Sequence, residues 1–317
     1  MTTFALHLTN FHDPTLAGDN LLDGLCDVTA AMEASGGLEA LWLTDHLQYL
    51  GPEGPTAPMP ESYVVLAALA SRTSTLQLGV LATSVLYRSP SLLAKMVTTL
   101  DVVSGGRAIL GIGAGHPRTE AEHRAFGYEF PSVGERMARL EQALETIRSM
   151  VGPVPVDDAP PNWPRPAQPG GIPVLVAGSG EQRLLRIAAR YADLINLSFP
   201  SGDTLERIPH KLGVLNRHCE TVGRDPATIA VTYKAVLSIA PSAGEARSKW
   251  NAWRSARGIG DLGADHGVFV GEPAHIIDQL SPWLQAGIDQ IIVELPDGHD
   301  PKTVALAGET LAQLSAS

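Results

Sequence analysis

The sequence predicts an α/β protein: a (β/α)8 TIM barrel with insertions in the loops at the strand C-terminal face. Three observations predict it. Short apolar runs alternate with longer amphipathic ones, and eight such strand-then-helix units fill the 317 residues. Most of the short runs, such as AILGI, PVLVA and QIIVE, are apolar at every position, as in parallel strands covered on both faces. The alternation runs from end to end without a clear linker, so residues 1–317 are expected to form one domain. A doubly wound open sheet is the alternative on pattern alone, but eight units in this length suit a closed barrel better.

The elements follow in order. The first strand is read at Phe4–Thr9 and is followed by a helix over 20–35. The second strand, Glu39–Thr44, leads through the irregular run GPEGPTAPMP to a helix over 62–72, which Ser62 can start. The third, Thr75–Ala82, must end quickly, because Ser89 and Pro90 open the next helix, 90–103. The fourth, Arg107–Ile112, precedes a long loop and a helix over 133–151. There Val133, Met137, Leu140, Leu144, Ile147 and Val151 form one apolar stripe. The Pro-rich stretch 152–171 reads as a surface excursion before the fifth strand, Ile172–Ala177, and a helix over 180–191. Strands at Asp193–Leu197, Thr228–Ile239 and Asp289–Leu295 complete the set, with helices over 203–222, 243–255, 272–286 and 301–315.

A formal charge of −11 argues against nucleic-acid or anionic-membrane partners, which need clustered Lys and Arg. Two cysteines, Cys26 and Cys219, both in apolar helical patterns, read as buried thiols of a reducing compartment. The start MTTFALHLTNFHD lacks a basic n-region, and no window approaches the ~20 apolar residues of a membrane span. A cytoplasmic protein acting on a small molecule is the expectation.

In a barrel of this kind the site forms from the loops after the strands. Those loops hold Asn10-Phe11-His12, Asp45-His46, Thr83-Ser84-Val85-Leu86, Gly113-Ala114-Gly115-His116 and Gly178-Ser179-Gly180. The last group is a small-residue turn between strand and helix, a setting in which backbone N–H groups can meet a phosphate. The glycines at 111, 113 and 115 are spaced GxGxG, not GxGxxG, and the helix that would hold a pyrophosphate begins too late. There is no GxSxG elbow, Walker loop or CxxC pair. His116, Glu120 and His123 lack the i, i+4 histidine pairing of a helical metal site, so no metal is assigned. His7, inside the first strand, reads as a packed residue.

The run TSVLYRSPSLLAKMVTTLDVVSGGRAILGIGAG resembles the central signature of the bacterial luciferase-like superfamily. EHRAFGYEFPSVGERMARLEQALETI, GSGEQRLLRIAARYADLINL and LNRHCETVGRDPATI extend the likeness over about residues 35–295. The set is similar to the deazaflavin branch, oxidoreductases that use coenzyme F420. The resemblance implies a bulge after the third strand with a non-proline cis peptide, at Ser84–Val85, backing the ring. It implies that Thr83, Ser84, Val85, Asp45, His46, Gly113, Ala114 and Gly115 meet the cofactor, and that Gly178, Ser179 and Gly180 hold its phosphate. It also implies a homodimer.

His116 stands where better-known members have a carboxylate or an aromatic residue. The expectation is hydride transfer at C5 of the deazaflavin to an activated C=C or C=N bond, with His46 orienting and His116 donating the proton. The Pro-rich excursion is shorter than in many members, which would leave the substrate pocket more open. An FMN-dependent luciferase-like monooxygenase is the alternative. A non-catalytic flavin-binding protein and a metal-dependent barrel hydrolase are further rivals.

Overall fold

The computed structural model describes residues 2–11, 16, 20–51 and 57–315. Ten strands form one sheet: β1 Thr3–Leu8, β2 Ala40–Leu43, β3 Gln77–Val80, β4 Thr83–Ser84, β5 Ala108–Gly113, β6 Val174–Ala177, β7 Leu194–Ser198, β8 Ala230–Ile239, β9 Val268–Gly271 and β10 Gln290–Glu294. Strands β1, β2, β3, β5, β6, β7, β8 and β10 close on themselves in that order, all parallel. These are the eight strands expected from the sequence, and the fold is a (β/α)8 barrel.

Ten helices stand among the described residues: α1 Leu21–Ser35, α2 Ser62–Ala70, α3 Pro90–Ser104, α4 Glu120–Ala125, α5 Val133–Val151, α6 Leu184–Tyr191, α7 Ile208–Val222, α8 Ala243–Ala256, α9 Pro273–Leu284 and α10 Pro301–Ser315. Ser89 and Pro90 do open α3, and α5 starts on a capping box between Ser132 and Glu135. In the α5 stripe, Leu140, Leu144, Ile147 and Val151 are buried, whereas Val133 at the helix start is exposed. None of the helices among the described residues is long and apolar enough to cross a membrane.

Alternate residues of each strand face the barrel axis, and they sort by height. Low in the barrel, Ala5, Ala40, Trp42, Leu81, Ile109, Leu175 and Ile292 pack into an apolar plug. Trp42 takes space that two glycines leave. A Cβ on Gly79 would stand 2.5 Å from its ring, and one on Gly111 would stand 3.2 Å from it and overlap the Val80 carbonyl. Higher, inward positions turn polar: His7, Thr9, Asn196, Lys234 and Glu294. The plug seals one end, so the polar layer becomes the floor of the mouth at the other.

Two features depart from the expected pattern. The upper half of β8 pairs with β9, Val236–Ile239 against Val268–Gly271. It buries Val236, Trp250, Trp253, Val268 and Val270 as a satellite cluster. The Pro-rich excursion does not lie at the mouth. It is pinned at the opposite end, where Ala167, Gln168 and Ala108 donate to the buried Asp101 and the Gln168 side chain also reaches the Ala108 carbonyl. It follows a helix and precedes a strand, so the chain delivers it to the strand N-termini. Its length therefore says nothing about how open the mouth is.

Candidate active site

Strand β3 ends in a bulge. Leu78 and Gly79 pair with Ala108 and Ile109, and Thr83 and Ser84 with Ile112 and Gly113. Three residues on one side (Val80, Leu81, Ala82) thus face two on the other (Leu110, Gly111). A non-proline cis peptide lies in this bulge, at Leu81–Ala82. The expected bond, Ser84–Val85, is not the cis one. Pairing with β5 has resumed by Thr83, and Val85 N–H donates to the Gly113 carbonyl at 3.0 Å, so the chain has already turned upstream.

The bulge is braced by the loop after β2. Asp45, 6 % exposed, accepts from Ser84 N–H at 3.0 Å and from Arg88 at 2.9 Å. Arg88 also binds Glu61, the N-cap of α2. Burial pushes the Asp45 carboxyl up to about 6, against the pull of Arg88. Thr83 and Ser84 are likewise bound from within. The Thr83 hydroxyl pairs with Tyr63 at 2.6 Å and Ser84 Oγ with His123 Nε2 at 3.1 Å. The other His123 nitrogen faces the Thr119 carbonyl at 2.7 Å, and its ring stacks on Tyr87. Val85 is buried against the core. Asp45, Thr83, Ser84 and Val85 thus hold the ledge together by their side chains.

His46, next in the chain, is about one-third exposed. Its Nδ1 lies 3.0 Å from Glu122, a carboxylate with no exposure. Leu47 and Gln48 N–H also donate to Glu122. Burial would raise this carboxyl, but the His46 hydrogen bond and charge, then the two amides, hold it below the usual carboxylate range. Glu122 and His123 sit on α4, six residues with no apolar stripe. No motif in the sequence singles out Glu122. The signal it does carry is an adjacent Glu-His pair inside a polar run between strand and helix.

His116 is different. It is exposed and serves its own turn, Nδ1 accepting from Arg118 N–H at 3.2 Å. Desolvation by its neighbours, then Arg118 and Arg136, hold it below the usual histidine range. Its neutral ring therefore carries the proton on Nε2. Gly113 ends β5, the Ala114 carbonyl accepts from Arg136 at 3.1 Å, and Gly115 has a φ of +77°. Among the described residues, no group of three or more His, Cys, Asp or Glu could hold a metal ion.

At the β6 exit, Gly178 has a φ of +126°, which favours glycine. The Ser179 carbonyl accepts from the buried Lys211 at 2.8 Å, and Lys211 also pairs with Glu181 at 2.9 Å. Helix α6 starts at Leu184, four residues later than expected, because 181–183 form a turn. A Cβ at Gly113 or Gly180 would meet its nearest neighbour at 3.6 Å, an ordinary contact, so a methyl would fit at either ledge but would cover backbone that glycine leaves bare.

On the floor, Lys234 and Glu294 pair at 2.9 Å and Thr9 donates to Glu294 at 2.8 Å. Burial opposes ionisation of Glu294, yet Lys234 and the other partners hold it at about 2. His7 is buried beside them, and desolvation and then Lys234 keep it well below the usual range. His12 lies outside the described residues.

A closed parallel barrel with a polar mouth, glycine ledges at two strand exits and a braced histidine defines an α/β-barrel enzyme scaffold. Residues 2–266 match the luciferase-like monooxygenase family, and the chain belongs to that family. It is 26% identical over 298 residues to the F420-dependent glucose-6-phosphate dehydrogenase of Amycolatopsis mediterranei, covering 83% of this chain and 86% of that one. It is 26% identical over 318 residues to the 5,10-methylenetetrahydromethanopterin reductase of Archaeoglobus fulgidus, covering 87% and 91%. The fold matches an F420-dependent secondary alcohol dehydrogenase solved with an F420-acetone adduct, with a TM-score of 0.76, 16% identity and 98% of both chains covered.

Proposed function

We propose that this chain is a coenzyme F420-dependent oxidoreductase. It transfers hydride between the reduced deazaflavin and an activated C=C or C=N bond of a small organic substrate. The observation that carries the reading is His46, braced by buried Glu122 at the barrel mouth, next to Asp45, which holds the β3 bulge. The names of the relatives support the cofactor.

The residues present fit a flat, phosphate-bearing cofactor. Glycine at 113 and 180 keeps the backbone of both ledges free of a side chain, and Lys211, paired with Glu181, holds the Ser179 carbonyl and with it the shape of the Gly178-Ser179-Gly180 turn. The coenzyme supplies the hydride at C5. The bulge would back the ring, Gly113-Ala114-Gly115 would line its edge, and Gly178-Ser179-Gly180 would hold the phosphate. Asp45 acts indirectly by fixing the bulge. His46 delivers the proton to the atom beside the carbon that receives the hydride. His116, with its proton on Nε2 and its other nitrogen engaged by Arg118, binds polar substituents at the rim.

Titration of the purified protein with coenzyme F420 and with FMN, followed by fluorescence quenching, tests the reading. Micromolar affinity for F420 with FMN far weaker is expected, and F420H2 turnover is then read on a panel of enoyl and imine compounds. Tight binding of FMN alone would replace the proposal with an FMN-dependent monooxygenase. Binding of neither would overturn the cofactor assignment.

A further inference from the structure

We propose that Glu122 is a positioning residue that fixes the tautomer of His46, keeping the proton on Nδ1 so that Nε2 is the atom that exchanges protons at the mouth. The proposal rests on the proton-transfer role given to His46 above.

Three observations carry it. Glu122 is completely buried, yet no Lys or Arg pairs with it among the described residues. Its oxygens receive the Leu47 and Gln48 N–H groups and the Nδ1 side of His46. A carboxylate so surrounded is ionised and accepts only, so His46 Nδ1 must donate. No protein group among the described residues hydrogen-bonds to His46 Nε2, and the ring is about one-third exposed. That nitrogen is left to meet a ligand.

The protons then balance. As hydride arrives at the substrate carbon, the Nε2–H bond of the imidazolium breaks and that proton bonds to the neighbouring atom. A neutral ring remains with Nδ1–H on Glu122, and water at the mouth restores the Nε2 proton. The carboxylate never takes the proton. It determines which nitrogen can give it.

A merely structural Glu122 would tie residues 47–48 to α4 and nothing more. Glu122→Gln separates the two roles. Its amide oxygen can still accept from Leu47 and Gln48, but its NH2 group faces Nδ1 and demands an acceptor there. The neutral ring must then carry its proton on Nε2.

The experiment is 15N NMR of histidine-labelled protein at a pH where imidazoles are neutral, with His46→Gln to assign the resonances. Wild type is expected to show Nδ1 of pyrrole type and Nε2 of pyridine type, and Glu122→Gln the reverse. Turnover of F420H2 by the variant should fall at least ~tenfold in kcat, with coenzyme affinity unchanged. A wild-type His46 protonated on Nε2, or a variant spectrum that does not change, overturns the proposal. If Glu122→Gln fails to fold, the wild-type spectrum alone decides. The tautomer is read without cofactor, so loss of the F420 reading and loss of the Glu122 role give different results.

Discussion

Two loops at the mouth each carry a histidine just past a strand, and the protein treats them in opposite ways. After β2, His46 is bound on one nitrogen by a buried carboxylate from another element, and its neighbour Asp45 is locked to the bulge. After β5, His116 is exposed and accepts from Arg118 in its own turn. Topology brings a histidine to the mouth but does not fix its chemistry. What faces it from a distant part of the chain does. Glu122 is 76 residues from His46.

Substitution of the two histidines should separate them most widely. His46→Ala should lower the rate of F420H2 oxidation by about 10²–10⁴-fold, the usual worth of a positioned acid or base. His116→Ala should stay within about tenfold. Steady-state kinetics on one substrate decide it. A greater loss at His116 would reverse the roles assigned to the two loops.

The bracing itself comes next. Arg88→Met would leave the Asp45 carboxylate buried without its cation, at a cost of about 3–5 kcal/mol. Arg118→Met, at an exposed position beside His116, should lie within about 0.5 kcal/mol of wild type. Urea unfolding of both variants measures the contrast. Equal losses would mean that the β5 loop is as tightly built as the β2 loop.

The two loops also tilt stability in opposite directions with pH. Native Asp45 keeps its proton up to about 6, against 3.8 in the unfolded chain. The folded state thus binds more protons between those values, and its stability falls as pH rises from about 4 to about 6. Native His116 resists protonation, because desolvation, Arg118 and Arg136 lower its pKa. Its contribution therefore rises as pH climbs toward the unfolded histidine value of about 6.5. Urea midpoints across this range should lose the falling component in Asp45→Asn and the rising one in His116→Gln. An unchanged profile in Asp45→Asn would show that its carboxyl titrates alike in both states.

The same contrast explains how far the sequence could be read. The eight barrel strands were legible because burial on both faces leaves continuous apolar runs, and α5 because its stripe repeats over five turns. Strand β9 was not: VFVG is four residues long, follows an irregular run, and pairs only where β8 leaves the barrel. The glycine exits at 113, 115 and 178 announced themselves by composition. Helix α4 did not, because its buried residues are Glu122 and His123 and no apolar period marks it. The cis bond lies three residues upstream of its expected place. The register of β3 against β5, which locates the bulge, is a pairing between chain segments that local sequence does not contain.

Gly115 belongs to the β5 loop alone. Gly115 has a φ of +77°, and a Cβ there would meet Ser84 Oγ at 3.6 Å, Phe130 at 3.7 Å and Leu86 at 3.8 Å, all ordinary contacts. Gly115→Ala therefore adds no clash, only the cost of a left-handed residue, about 1 kcal/mol. A loop built for precise proton delivery would pass that strain on to His116, the next residue, and lower kcat. A loop that merely lines the rim would absorb it, with kcat kept within about twofold. Chemical unfolding and turnover of this one variant, measured together, should show the first loss without the second. If kcat falls well beyond the stability loss, the placement of His116 matters to the reaction, and the two histidines are more alike than their hydrogen bonds suggest.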